Sequence, residues 1–276
     1  MPGAFAIAPR VCPSSRRPAP GALGFQGEAR SAGVTFVRRI THTWRSLGIE
    51  AGAYPLGRSQ LAALASGLPQ AALASSGERN VRRYARERAQ VVVLALEIAV
   101  LDEKVLPFLL GVAVIEESRL LVEQLLLVHP RQEAALLQAA LERLCRGAIL
   151  TYKGRCRELP ALASRLTAHH LDTGSLLHRP HCDLIVPVRR LLSGCERYST
   201  LGDAAALLGV GQQHAGDRAD VDSTSAYQAW LQGSRIQVLQ GIIDENERAL
   251  LTTVALARYL CAISEARSPP PAGGLE

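Results

Sequence analysis

Two kinds of hydrophobic pattern alternate along this chain. From Gln90 to Leu96 the run QVVVLAL is continuous, β-branched and aliphatic, as a central strand buried on both faces requires. LPFLLGVAVI follows and, past the polar turn Glu116-Glu117-Ser118-Arg119, so does RLLVEQLLLV. Two apolar runs joined by a short polar turn predict a hairpin, so the three runs together form an antiparallel meander. After Pro130 the period lengthens. Leu136, Leu137, Ala140, Leu141 and Leu144 recur at helical spacing, making QEAALLQAALERL an amphipathic helix that Gly147 ends. AILTY then reads as a short strand, ELPALASRL as a helix, HCDLIVP as a strand and VRRLL as a short helix. Thr200, with Asp203 three residues on, is close to a capping box for LGDAAALLGV. Arg235 to Ala262 is the longest helical pattern, with no Pro and only Gly241 inside it.

Upstream, GVTFVRRI alternates like a short edge strand, with Val34, Phe36 and Ile40 on one side. Tyr54-Pro55-Leu56-Gly57 reads as a turn. SQLAALASGL reads as a short helix between Ser59 and Gly67. The order of three strands, helix, strand, helix, strand and then helices predicts an α/β fold. It is a mixed five-stranded sheet of the ribonuclease H-like kind, flanked by helices, with an N-terminal extension. The expected division is a disordered basic tail over 1–30, the extension over 31–88, the ribonuclease H-like domain over 89–265 and a second disordered tail over 266–276.

Composition narrows the function classes. The chain has 276 residues and is 48% hydrophobic, enough to bury a real core. Lys and Arg number 31 against 25 Asp and Glu, a net charge of +6, which permits a polyanionic partner without demanding one. Aromatic residues make up only 4%, which argues against a broad stacking surface for single strands. The 6 cysteines include no CxxC pair, which disfavours both a disulfide framework and a zinc ribbon. Cys145, Cys156, Cys195 and Cys261 lack nucleophile signatures and read as packing residues. No apolar run reaches the roughly 18 residues of a membrane span. Pro9, Arg10 and Pro13 interrupt every candidate secretory core. A cytoplasmic protein without a membrane partner is expected.

The collinear segments LPFLLGVAV, RQEAALL, LTYKGRCRELPAL, HCDLIVPVRRLL and STLGDAAALLGV resemble the YprB-like ribonuclease H-fold family. GVTFVRR, YPLG and QLAAL resemble the segment that precedes the nuclease domain there. That family is similar to the DEDD 3′–5′ exonucleases, which cut phosphodiesters with two divalent metals, Mg or Mn, held by four acidic residues. Two such metals stabilise the attacking and leaving oxygens of an in-line displacement, and hard cations need oxygen ligands from several elements. The family carries Asp-x-Glu on the first strand, a second Asp after a Thr-Tyr-Asn-Gly turn, and a His then an Asp on the last helix.

This chain departs from that pattern. Ala95 stands at the first Asp and Glu97 is kept. Thr151-Tyr152-Lys153-Gly154 keeps the turn with Lys for Asn, and Arg157-Glu158 replaces Phe-Asp. On the last helix Glu245 stands at the His position, with Asn246 beside it as in the family, and Ala249 at the final Asp. Alanine cannot coordinate a cation, and Lys153 and Arg157 add positive charge beside the remaining acids. The resemblance therefore implies a nucleic-acid-binding pseudonuclease, with Glu97, Glu158 and Glu245 as the residual catalytic acids and Glu97 and Glu158 as residual metal ligands. Tyr152, Lys153 and Arg155 are the implied nucleic-acid contacts. Two alternatives stay open: an active divergent exonuclease using Glu97, Glu158 and Glu245, with Asp102 as a possible fourth acid, and a protein-interaction module that keeps only the fold. Arg79, Arg82, Arg83, Arg86 and Arg88 form a basic segment ahead of the first strand. His178, His181, Cys182 and Asp183 lack a second zinc-ligand pair. Asp183 borders the cleft without being a ligand, and His169-His170 fall at a helix end.

Overall fold

The computed structural model describes residues 20–30, 33–43, 90–115, 119–192, 200–210 and 222–266. The expected turn at Tyr54, the helix after Ser59, the five arginines between Arg79 and Arg88, and Cys195 lie outside them. Seven strands form one sheet: β1 Gln26–Arg30, β2 Gly33–Thr43, β3 Gln90–Leu101, β4 Lys104–Ile115, β5 Arg119–Leu126, β6 Gly147–Thr151 and β7 His181–Asp183. Their order is β1-β2-β5-β4-β3-β6-β7. The helices are α1 Glu133–Leu144, α2 Glu158–Ala168, α3 Gly174–Leu177, α4 Ile185–Leu191, α5 Leu201–Leu207, α6 Ser223–Leu231 and α7 Gln240–Ala266.

Strands β3, β4 and β5 are the expected antiparallel meander, and β6 and β7 extend the sheet in parallel from β3. The expected five strands are thus present, and two more join them. β2 is not an edge: it pairs antiparallel with both β1 and β5. β1 lies within the stretch that composition assigned to the tail. Its sequence QGEAR is mostly exposed, so ion pairs hold it rather than apolar burial. Glu28 pairs with Arg30 and Arg39, and Arg39 in turn pairs with Glu123 on β5 at 2.8 Å. Arg143 of α1 closes the group on Glu123 at 3.0 Å. A second correction concerns HCDLIVP, whose strand stops at Asp183 and turns into helix from Ile185. A short apolar run does not distinguish a buried strand from a buried helix.

The continuous apolar character of β3 reflects two buried faces. Val92, Leu94 and Leu96 pack with α1, α2 and α6 through Leu136, Leu162 and Tyr227. Val91, Val93 and Ala95 pack with α7 through Leu250, Val254 and Ala257. Thr200 and Asp203 form the full capping box of α5. One irregularity shapes the site. The β3–β4 register shifts between Glu97 and Ile98, where Pro107 falls in the partner strand. A proline without an N–H is tolerated inside a sheet at a break in the ladder, and such a bulge re-aims neighbouring side chains.

Candidate active-site cleft

Glu97 sits at this bulge near the carboxyl end of β3, where Ser223 Oγ at the start of α6 donates to its Oε2 at 3.3 Å. Burial pushes the Glu97 carboxyl above its ordinary value, and the charge of Glu245 adds to this, against the opposing Arg157 and the Ser223 bond. Glu158 is the first residue of α2. Burial pushes its carboxyl up to about 8, with the backbone N–H of Leu96 and the Arg157 charge opposing, and Asp183 and Glu97 reinforcing. Its Oε2 is enclosed and makes no hydrogen bond among the described residues. Glu245 is exposed on α7 and pairs with Arg248, one turn along its own helix.

The three expected acids therefore share one electrostatic neighbourhood. The charge of Glu245 acts on Glu97, and the charge of Glu97 acts on Glu158. Yet among the described residues no group of three or more His, Cys, Asp or Glu side chains is arranged to hold a metal ion. Ala95 is 7% exposed and sits in the apolar layer under α7, and Ala249 packs on the same layer. With both positions apolar and Glu245 engaged by Arg248, the side chains present do not fit a two-metal site.

Beside these acids lies the turn 151–157 between β6 and α2, whose Arg157 acts electrostatically on both Glu97 and Glu158. Lys153 takes a left-handed backbone, with φ of 65°, a conformation that Asn adopts more readily than Lys. Gly154 is needed by contact, because a Cβ there would lie 2.4 Å from Thr151 Oγ1. Instead the Gly154 N–H donates to that oxygen at 3.2 Å, and His181 Nε2 lies 2.8 Å from it. Burial pushes the His181 imidazole down to about 4, so it is neutral at physiological pH. Arg155 and Arg157 are exposed and Lys153 is half-buried. Tyr152 is placed differently from the other expected contacts: it packs against the apolar layer around α7.

Two buried polar groups fix the backbone around these residues. Asp183, 5% exposed, accepts from the backbone N–H groups of Lys153 at 2.7 Å, Arg155 at 3.0 Å and Ile185 at 3.2 Å. Gln124 and Asn246, both fully buried, form the second. Gln124 Nε2 donates to Ile243 O at 2.7 Å and to Asn246 Oδ1 at 3.2 Å, and Asn246 Nδ2 donates to Ala95 O at 3.2 Å. They lock α7 onto β5 and onto the strand that carries Glu97. His169 ends α2 as expected, and its Nε2 meets Glu133 at 2.8 Å. Asp102 lies in the two-residue turn between β3 and β4, with φ of 48°. Cys145, Cys156, Cys182 and Cys261 are free thiols. No helix among the described residues is long and apolar enough to cross a membrane.

Comparison with known proteins accords with this architecture. The chain is 28% identical over 170 residues to "Uncharacterized protein YprB" of Bacillus subtilis (strain 168), a match covering 59% of this chain and 40% of the relative. The chain thus spans less than half of that relative's length. Among solved structures, the family B DNA polymerase of Pyrobaculum calidifontis aligns with a TM-score of 0.45 at 13% identity, covering 63% of this chain and 27% of the polymerase. The family model of the RNase_H superfamily matches residues 96–261, most of the chain, and the chain belongs to that superfamily.

Proposed function

We propose that this protein binds nucleic acid at the cleft between β3, α2 and α7 and has lost most metal-dependent phosphodiesterase activity. One observation carries the reading: Ala95 and Ala249 stand where the resemblance places two of four metal carboxylates, and both are packed into the apolar layer under α7. Without those acids one cation of a two-metal site has no ligand shell, and removing a group that stabilises transition-state charge costs orders of magnitude in rate. Lys153, Arg155 and Arg157 supply cationic groups along one wall, the right chemistry for contacts to a phosphate backbone that do not read sequence.

A labelled DNA or RNA oligonucleotide titrated with Mg²⁺ and Mn²⁺ tests this. The expected result is salt-dependent binding with the strand left intact. Robust metal-dependent cleavage that disappears in Glu97→Ala overturns it. The second reading is a divergent exonuclease using Glu97, Glu158 and Glu245 with bound Mg or Mn, favoured by the electrostatic coupling of Glu97 to the other two acids. Cleavage abolished by each of Glu97→Gln, Glu158→Gln and Glu245→Gln would select that reading. Absence of any oligonucleotide binding would leave a protein-interaction role.

A further inference from the structure

A buried carboxylate, Asp183, holds the backbone of the cationic turn 151–157. Asp183 lies at the end of β7, opposite Thr151 in the parallel register with β6. Its Oδ1 accepts from Lys153 N–H at 2.7 Å and from Ile185 N–H at 3.2 Å, and its Oδ2 from Arg155 N–H at 3.0 Å. Charge-assisted bonds of this kind are about twice as strong as neutral ones. They act where the backbone resists, because Lys153 is held left-handed. Leu184 N–H, just past β7, also donates to Thr151 O at 2.9 Å, so the start of the turn is held as well. Asp183 is 5% exposed and spends its acceptors on amides, so its carboxylate is a brace and not a ligand-facing acid.

We propose that Asp183 is the positioning residue of the polyanion-binding wall. It fixes the backbone from which Lys153 and Arg155 present their charges to a phosphodiester backbone, without itself touching the nucleic acid. The proposal rests on the nucleic-acid reading of the same turn. It predicts that the contribution of the two cations to binding depends on this one buried carboxylate. Asp183→Asn is the informative change, because an amide nitrogen cannot accept, so of the two turn amides, Lys153 and Arg155, only one can keep its bond.

The test uses the full chain as wild type, Asp183→Asn, the double variant Lys153→Gln/Arg155→Gln, and the triple combination. Hydrogen exchange of peptides covering the turn and anisotropy with labelled single-stranded and duplex oligonucleotides across a salt series are measured on each. Asp183→Asn is expected to speed exchange in the turn and weaken binding about tenfold. It should also flatten the dependence of log affinity on log salt by about one to two units, as the double variant does. The triple variant should bind no more weakly than the double. Faster exchange with affinity and salt slope unchanged would make Asp183 merely structural and overturn the proposal, as would unchanged exchange or fully additive losses. If Asp183→Asn does not fold, Thr151→Val, which removes the bond to the Gly154 amide, must reproduce the same pairing of faster exchange and shallower slope. A wild type that binds no oligonucleotide would overturn the nucleic-acid reading itself, an outcome told apart from failure of the brace by that wild-type control.

Discussion

Glu133→Gln gives the sharpest measure of how the helical layer is held together. Glu133, 3% exposed, opens α1 and accepts from Nε and Nη2 of Arg165, at 2.6 Å each, with His169 Nε2 at 2.8 Å. Burial alone would raise its carboxyl, but the bonds and charges of Arg165 and His169 outweigh it and hold the group below the ordinary 4.5. Breaking a buried pair by removing one partner costs about 3–5 kcal/mol. Arg165 and His169 keep side-chain exposures of 19% and 30%, so both orphaned side chains regain water. The cost at pH 7 should therefore fall to about 2–3 kcal/mol, a drop in Tm of about 4–12 °C for a domain of this size. The sign with pH follows from the lowered value: the folded state binds fewer protons, so the stabilisation is present above 4.5 and is lost as pH falls through the folded value. Urea midpoints for wild type and Glu133→Gln should differ at pH 7 and converge in acid. A difference that stays constant from neutral pH into acid would show that the clamp works by shape rather than charge, and would refute the reasoning.

Three further outcomes follow from the same packing. Gly111→Ala would place a Cβ 2.2 Å from Asn246 Oδ1 and 2.9 Å from Leu250 Cδ1, so a loss of about 1–3 kcal/mol is expected in chemical denaturation. Asn246→Ala removes the bond to the Ala95 carbonyl and one of the two that Gln124 Nε2 donates, and should cost about 1–3 kcal/mol; because the two substitutions damage one network, the double variant should lose less than the sum. His181 must be neutral in the fold, its value pushed down by burial to about 4 from 6.5. The stability tied to it is present above 6.5 and lost as pH falls toward 4, so His181→Gln should show a flatter stability profile than wild type across that window by urea titration.

The domain's core was legible because its two periodicities are clean. β3 and β4 are buried on both faces and α1 carries a regular stripe, so each element announces its environment. β1 was not legible, because QGEAR has no apolar alternation and forms a strand only when β2 offers a ladder and Arg39 and Arg30 meet Glu28. The site divided in the same way. Glu97, Glu158, Lys153 and Arg155 were reached through resemblance, because the motif segments that carry them are collinear with the family pattern. The brace by Asp183 was not reached, since the amides it bonds on the turn lie 28 and 30 residues away and nothing local marks an acceptor for them. Glu245 was placed on the correct helix, but periodicity gives no sign that Arg248 engages it.

The changes from the family pattern form a mutually consistent set on the proposed reading. Burial lifts the Glu158 carboxyl to about 8, and repulsion from the charges of Asp183 and Glu97 adds to that rise. Adding acids at positions 95 and 249 would intensify that repulsion unless cations were bound to offset it. Here both positions are alanines within the apolar layer that joins β3 to α7, so they contribute packing where acids would contribute charge. Arg157, next to Glu158 in sequence, lowers the proton affinity of both remaining acids from a fixed position on the chain. Gln124 and Asn246 then hold α7 against β3 through neutral hydrogen bonds, including one to the carbonyl of Ala95 itself. A cleft assembled this way reaches electrostatic balance from its own side chains, and the affinity it offers a polyanion should change little when divalent metal is removed.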